Sequence, residues 1–136
     1  MFGFEKLEVW QKAIEYADCL YNVTRQFPDD ERFGLASQMQ RAAVSIMSNI
    51  AEGFERQHIQ EKLQFYNMAH GSSGEVRSLL YVIEDNYPSL SADAIRLRDQ
   101  SNQTGKLITG LIRSTQSRKS RALTFLSTLF HLLSPL

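Results

Sequence analysis

The run FGLASQMQRAAVSIMSNIAEGFER, from Phe33 to Arg56, leaves this chain few ways to fold. At about 100° per residue, Leu35, Met39, Ala42, Ala43, Ile46 and Ile50 fall on one side, the spacing of a helix that turns an apolar stripe toward a core. Ala36, Val44, Met47 and Ala51 carry the apolar surface round the back, leaving only Gln38, Arg41, Ser45, Asn49 and Glu52 as a polar strip. A helix apolar round so much of its girth is mostly buried: it sits centrally among other helices, or it serves a subunit interface as well as its own core. Val44 and Met47, on the back, are the interface candidates. Two readings of the strip stand side by side. Successive steps of four, four and three keep Arg41, Ser45, Asn49 and Glu52 on one side, where they can contact a ligand or nucleic acid. Alternatively they bond within the protein as a polar seam that fixes helix register, because buried polar groups need partners. Gly53 is expected to close the helix from the left-handed conformation open to glycine at a C-terminal cap.

The remaining segments read as helices packed against this one. From Phe4 to Gln26, Leu7, Trp10, Ala13, Ile14, Ala17, Leu20 and Tyr21 repeat at three and four, and Pro28 stops the helix. Asp29, Asp30 and Glu31 then supply caps and negative charge for the second helix. The third runs from about Gln60 to Asn86 with Phe65, Met68, Ala69, Val76, Leu79, Leu80 and Ile83 in one stripe. Gly71 and Gly74 in its middle each cost roughly 1 kcal/mol relative to alanine, so close approach of a neighbouring helix is the expected compensation. Ser91 caps the fourth helix, where Ala94, Leu97, Thr104, Ile108, Leu111 and Ile112 repeat to about Gln116. Four helices with short connections make an all-α, antiparallel up-and-down bundle over residues 1–117.

Residues 118–136 are an extension, basic at first and then rich in Leu and Phe. It is too short to cross a bilayer, which takes about 20 apolar residues. Arg118, Lys119 and Arg121 can meet lipid phosphate from a membrane-surface helix. The favoured reading docks Leu123, Phe125, Leu126, Leu129 and Phe130 on the bundle or on a neighbouring subunit.

The formal net charge is zero, but the charges are unevenly spread. Residues 1–100 hold 10 Lys and Arg against 15 Asp and Glu, and residues 101–136 hold 5 against 0, so the two parts carry −5 and +5. One cysteine, Cys19, leaves no internal disulfide, and the charged start MFGFEKLE lacks the apolar run of a signal peptide, so a cytoplasmic protein is expected. A dinuclear metal site in a bundle needs two Glu-x-x-His pairs, and Glu55 to His58 is the only one. With no Walker loop, zinc-ligand cysteine pair or nucleophile elbow, the expectation is no enzyme, no metal and no cofactor.

Several stretches carry a resemblance. FEKLEVWQKAIEYA, a following FP, and above all Arg41 to Ile46 with Ser48 to Gly53 resemble the four-helix bundle proteins encoded within 23S rRNA intervening sequences. The similarity runs from about Phe4 to Ser117, with NMAHGSSGEV and TGKLITGLIRS as further family-like segments. Met47 stands where the family commonly has proline, and the tail beyond Arg118 is extra. The resemblance implies a bacterial, cytoplasmic bundle with no assigned enzymatic activity, often assembled as a ring of five. It also implies kinship with the accessory proteins of diversity-generating retroelements, basic pentameric barrels that bind nucleic acid and a reverse transcriptase. Those relatives are markedly basic, whereas this chain is neutral. The functional expectation is therefore a homo-oligomeric, RNA- or DNA-associated bundle. Lys106, Arg113, Arg118, Lys119 and Arg121 supply its phosphate contacts, with Asn102 and Thr109 beside them. The alternative is a scaffold that binds only protein.

Overall fold

A computed structural model describes residues 3–134. Four helices account for most of them: α1 (Glu8–Thr24), α2 (Leu35–Glu55), α3 (Ile59–Asn86) and α4 (Ser91–Leu133). Three-residue 3₁₀ turns at Phe4–Lys6, Asp29–Glu31 and Pro88–Leu90 precede α1, α2 and α4. Each helix packs on its neighbours in sequence and α1 also packs on α4, while across the diagonals, α1 with α3 and α2 with α4, no two Cα atoms come within 8 Å among the described residues. The arrangement is a closed square. Its direction is fixed by cross-helix pairs whose numbers run oppositely: Ser45 meets Ser72 and Gly53 meets Tyr66 between α2 and α3, and Ser73 meets Ser101 and Glu84 pairs with Arg98 between α3 and α4. The bundle is therefore antiparallel and up-and-down.

The core is built from the stripe that dominates the second helix. Met39, Ile46 and Ile50 are fully buried, and they meet Leu20 of α1, Val76, Leu80 and Ile83 of α3, and Ala94, Leu97 and Ile108 of α4 in one cluster. At roughly 1.5–3 kcal/mol for each fully buried large aliphatic side chain, this cluster supplies most of the folding drive. On α1 the buried face is turned from expectation. Val9, Tyr16 and Val23 are buried alongside Ala13, Ala17 and Leu20, whereas Trp10, Ile14 and Tyr21 are only half-buried. The cause is the square: α1 must face both α2 and α4. Likewise Tyr66 of α3 is buried and Met68 is not, at 49% exposed.

Gly53 is not a left-handed cap. It lies inside α2, and no described glycine has a positive φ. Its role is steric: a Cβ there would stand 2.6 and 2.8 Å from the Tyr66 ring and 3.0 Å from the Phe65 Cβ. The helix end is closed by Lys62, whose ammonium donates to the carbonyls of Gly53 (3.3 Å) and Phe54 (2.6 Å). Burial, and then Arg118 nearby, hold the Lys62 amine below the usual lysine range. At the opposite end Glu31 accepts the Leu35 backbone N–H (3.2 Å) and the Tyr87 hydroxyl (2.6 Å), so of the three acidic residues expected to cap α2 it is the one whose side chain does. That bond is the main reason the Tyr87 phenol is pushed up to about 12. Ser91 is the first helical residue of α4, not its side-chain cap, because the Pro88–Leu90 turn feeds the helix directly.

Two larger expectations are also corrected. Gly71 and Gly74 sit against nothing, since a Cβ at either would have no neighbour within 4 Å, so no helix approaches them closely. And α4 does not stop near Gln116. No glycine or proline interrupts residues 111–134, and the helix continues to Leu133, through the expected boundary at 117. Burial in the bundle nevertheless ends at Thr115, and Leu123, Phe125, Leu126 and Phe130 are exposed, so the extension does not dock on its own bundle. No described helix is long and apolar enough to cross a membrane.

Candidate nucleic-acid interface

The polar strip of α2 divides. Ser45 and Asn49 form a seam: the Ser45 hydroxyl lies 2.8 Å from the Ser72 hydroxyl, and the Asn49 amide donates to the Ser45 carbonyl (2.8 Å) and hydroxyl (2.9 Å). The Ser45–Ser72 contact ties α2 to α3, and Asn49 braces Ser45 from within α2. Arg41 and Glu52 point outward and pair along their own helix, Arg41 with the Ser37 hydroxyl (3.2 Å) and Glu52 with Arg56 (2.5 Å). A second, fully buried polar contact links α3 and α4, where the Ser101 hydroxyl stands 3.3 Å from that of Ser73 and 3.2 Å from its carbonyl. Tyr16 is buried close by. Its phenol is pushed up to about 12 by that burial, and the neighbouring Ser101 hydroxyl opposes the shift without reaching hydrogen-bond geometry.

The cationic groups gather elsewhere, on the outer face of α3 and α4. A groove of about 510 Å³ is lined by His70 and Arg77 of α3 and by Asn102, Gly105, Lys106, Thr109, Gly110 and Arg113 of α4. Helical spacing explains the set. Lys106 and Arg113 are seven apart, as are His70 and Arg77, so each pair projects from one face two turns apart. Antiparallel packing lays the two faces side by side. Arg77 is steadied by a hydrogen bond to the Asn102 side-chain oxygen (3.3 Å). Lys106 and Arg113 form no ion pair among the described residues, and no carboxylate lines the groove.

The glycines acquire a reading here. Gly74 lies four residues after His70 and three before Arg77, on the same face of α3. Gly110 of α4 also has open space where a Cβ would sit. Gly105 and Gly110 of α4 line the groove itself and leave its floor low beside Lys106 and Arg113.

Of the five cations expected to act together, the structure groups Lys106 and Arg113. By helical rotation Arg121 falls about 60° round from Lys106, Arg118 about 120° and Lys119 about 140°. Arg118 turns toward Lys62 and Tyr66 and donates to the Thr115 hydroxyl (3.3 Å), and Lys119 bonds the side-chain oxygen of Gln60. His70 and Arg77 were not singled out from the sequence. Their seven-residue spacing was legible, but their adjacency to Lys106 and Arg113 depends on the register of α3 against α4.

The model of the family described as 23S rRNA-intervening sequence protein matches residues 5–110. This chain belongs to that family. The match spans all four helices of the square and stops inside α4, before Arg113. Among solved structures, a protein of unknown function from the S23 ribosomal protein family of Bacteroides thetaiotaomicron VPI-5482 superimposes with a TM-score of 0.71 at 21% identity, covering 77% of this chain and 95% of that one. At that identity the likeness concerns the fold. No curated protein matches this family member.

Proposed function

We propose that this family member is a non-enzymatic, self-assembling bundle that holds nucleic acid, RNA in the first place, along the α3–α4 groove. The observation that carries the reading is a groove walled by Arg77, Lys106 and Arg113 with no lining carboxylate, in a chain of zero formal net charge. Cations kept unpaired on one face suit a phosphate backbone, which is bound through charge and without sequence preference. Asn102 and Thr109 add neutral hydrogen-bonding groups at the same level. The family's association with 23S rRNA intervening sequences supports RNA as the ligand.

Self-assembly rests on α2. Val44 is 39% exposed on the apolar back of the helix, and Met47 lines an apolar cleft of about 350 Å³ with Phe4, Trp10 and Ala51. In a ring, the groove repeats around the axis and weak phosphate contacts add up. That apolar cleft equally suits a protein partner, the second reading, for which a reverse transcriptase is the family analogy.

Fluorescence anisotropy with labelled RNA at two salt concentrations tests the groove. Three cations per chain give a log–log salt slope of about −2 for a single strand. Lys106→Glu with Arg113→Glu should bind least, and absence of binding by the intact protein at low salt leaves the protein-binding scaffold. Pull-downs with and without nuclease then separate the two readings, because a scaffold keeps its partners after digestion.

A further inference from the structure

We propose that the part of α4 beyond the bundle, from Gln116 to Leu133, is a self-association helix, its apolar face covered by the same segment of a second copy of this chain. Six of its large apolar side chains are exposed: Leu123 at 59%, Phe125 at 64%, Leu126 at 60%, Phe130 at 69%, Leu132 at 76% and Leu133 at 78%. Taking the aromatic figure of about 200 Å² as a ceiling for each of these side chains, they offer at most on the order of 800 Å² of apolar surface at these exposures. That exceeds the few hundred Å² a lone soluble protein ordinarily leaves bare, and an interface of roughly 800 Å² per partner would use most of it together with its polar rim.

The spacing selects another helix as the cover. Ala122, Leu126, Leu129 and Leu133 follow at four, three and four, the seam of a coiled coil, with Leu123 and Phe130 on one flank and Phe125 and Leu132 on the other. This arc covers nearly half the circumference. The opposite side holds Thr124, Ser127, Thr128 and His131, and two of its hydroxyls are already satisfied, Thr124 donating to the Ser120 carbonyl (3.1 Å) and Thr128 to that of Thr124 (3.0 Å).

Charge favours a copy of the chain over a lipid surface. From Ala122 to Ser134 the sequence has no Asp, Glu, Lys or Arg, so identical segments meet without repulsion. A helix lying on an anionic bilayer carries cations along its polar face, and here Arg118, Lys119 and Arg121 stand only at the start, with Lys119 engaged to Gln60. The segment also lies beyond the family match, which ends at residue 110, so this contact adds to whatever the shared bundle does. It depends on neither the groove nor the α2 interface.

Sedimentation of the full chain tests it. Val44→Glu with Met47→Glu removes the α2 contact, and that variant should still sediment at micromolar concentration as a dimer or larger. Adding Leu126→Ser and Leu129→Ser should then give the 15.6 kDa monomer with the bundle's circular dichroism retained. A monomeric Val44→Glu, Met47→Glu chain overturns the proposal, as does a quadruple variant that keeps the larger mass. So does flotation of a monomeric wild type with phosphatidylserine vesicles when Leu126→Ser, Leu129→Ser abolishes it, because lipid is then the cover.

Discussion

Replacing glycines by alanine one at a time should split them into two classes. At Gly74 and Gly110 a Cβ meets nothing within 4 Å, and both residues are helical. Alanine there gains the helix propensity glycine lacks, up to about 1 kcal/mol, with no steric cost. At Gly53 the same propensity gain is opposed by contacts of 2.6 and 2.8 Å to the Tyr66 ring and 3.0 Å to the Phe65 Cβ. Tyr66 is 1% exposed and cannot swing clear, and the Phe65 Cβ is anchored to backbone, so α2 must move away from α3. Overpacking of this kind costs about 1–3 kcal/mol. The net for Gly53→Ala is a loss of about 0–2 kcal/mol, against a gain of up to about 1 for Gly74→Ala. For a chain of this length that is about 4 °C of melting temperature per kcal/mol, in opposite directions. Thermal denaturation followed by far-ultraviolet circular dichroism at one protein concentration reads both. Gly53→Ala melting as high as Gly74→Ala would refute the close contact between α2 and α3.

Raising the pH should loosen the bundle through its tyrosines. Tyr16 and Tyr87 ionise at about 12 in the folded chain and at about 10 unfolded, so their stabilisation is complete below about pH 10 and is lost as pH rises toward 12. Urea midpoints from pH 9 to 11 should fall, and Tyr87→Phe should reduce the fall; an unchanged slope would count against the Tyr87–Glu31 bond. Lys62→Met keeps the aliphatic stem but frees the Gly53 and Phe54 carbonyls, and should cost about 1 kcal/mol in urea titration. Glu31→Ala removes the cap on Leu35, with an expected loss of about 1 kcal/mol, and should lower the Tyr87 phenol titration seen by ultraviolet absorbance. Val44→Glu with Met47→Glu should reduce the sedimenting mass while helicity stays constant.

Much of the bundle was legible because its signals are local. The stripe through Met39, Ile46 and Ile50, the prolines at 28 and 88, and the short connections define four helices without knowledge of their partners. What failed was relational. A small residue such as Gly74 either admits a neighbour or leaves a surface bare, and only the neighbour's position decides which. Tyr16 was missed because a helix with two neighbours buries more than one stripe. The basic cluster at Arg118 resembled a boundary, although an unbroken run of helix-compatible residues passed through it. Lys106 and Arg113 were found as a pair by spacing alone, but their companions on α3 became visible only once antiparallel register placed Arg77 beside Asn102.

The uninterrupted length of α4 has a geometric consequence. Groove and overhang are cut from one rod of 43 residues, about 65 Å long, so the azimuth of each is locked to the other. Inserting a single alanine between Arg121 and Ala122, past the Lys119–Gln60 contact, would leave every bundle contact in place yet turn the leucine seam by about 100° and advance it by about 1.5 Å. Four inserted residues would nearly restore the phase. If bundles joined through their overhangs must also present their basic grooves to one shared strand, binding should vary with insertion length at the helical period.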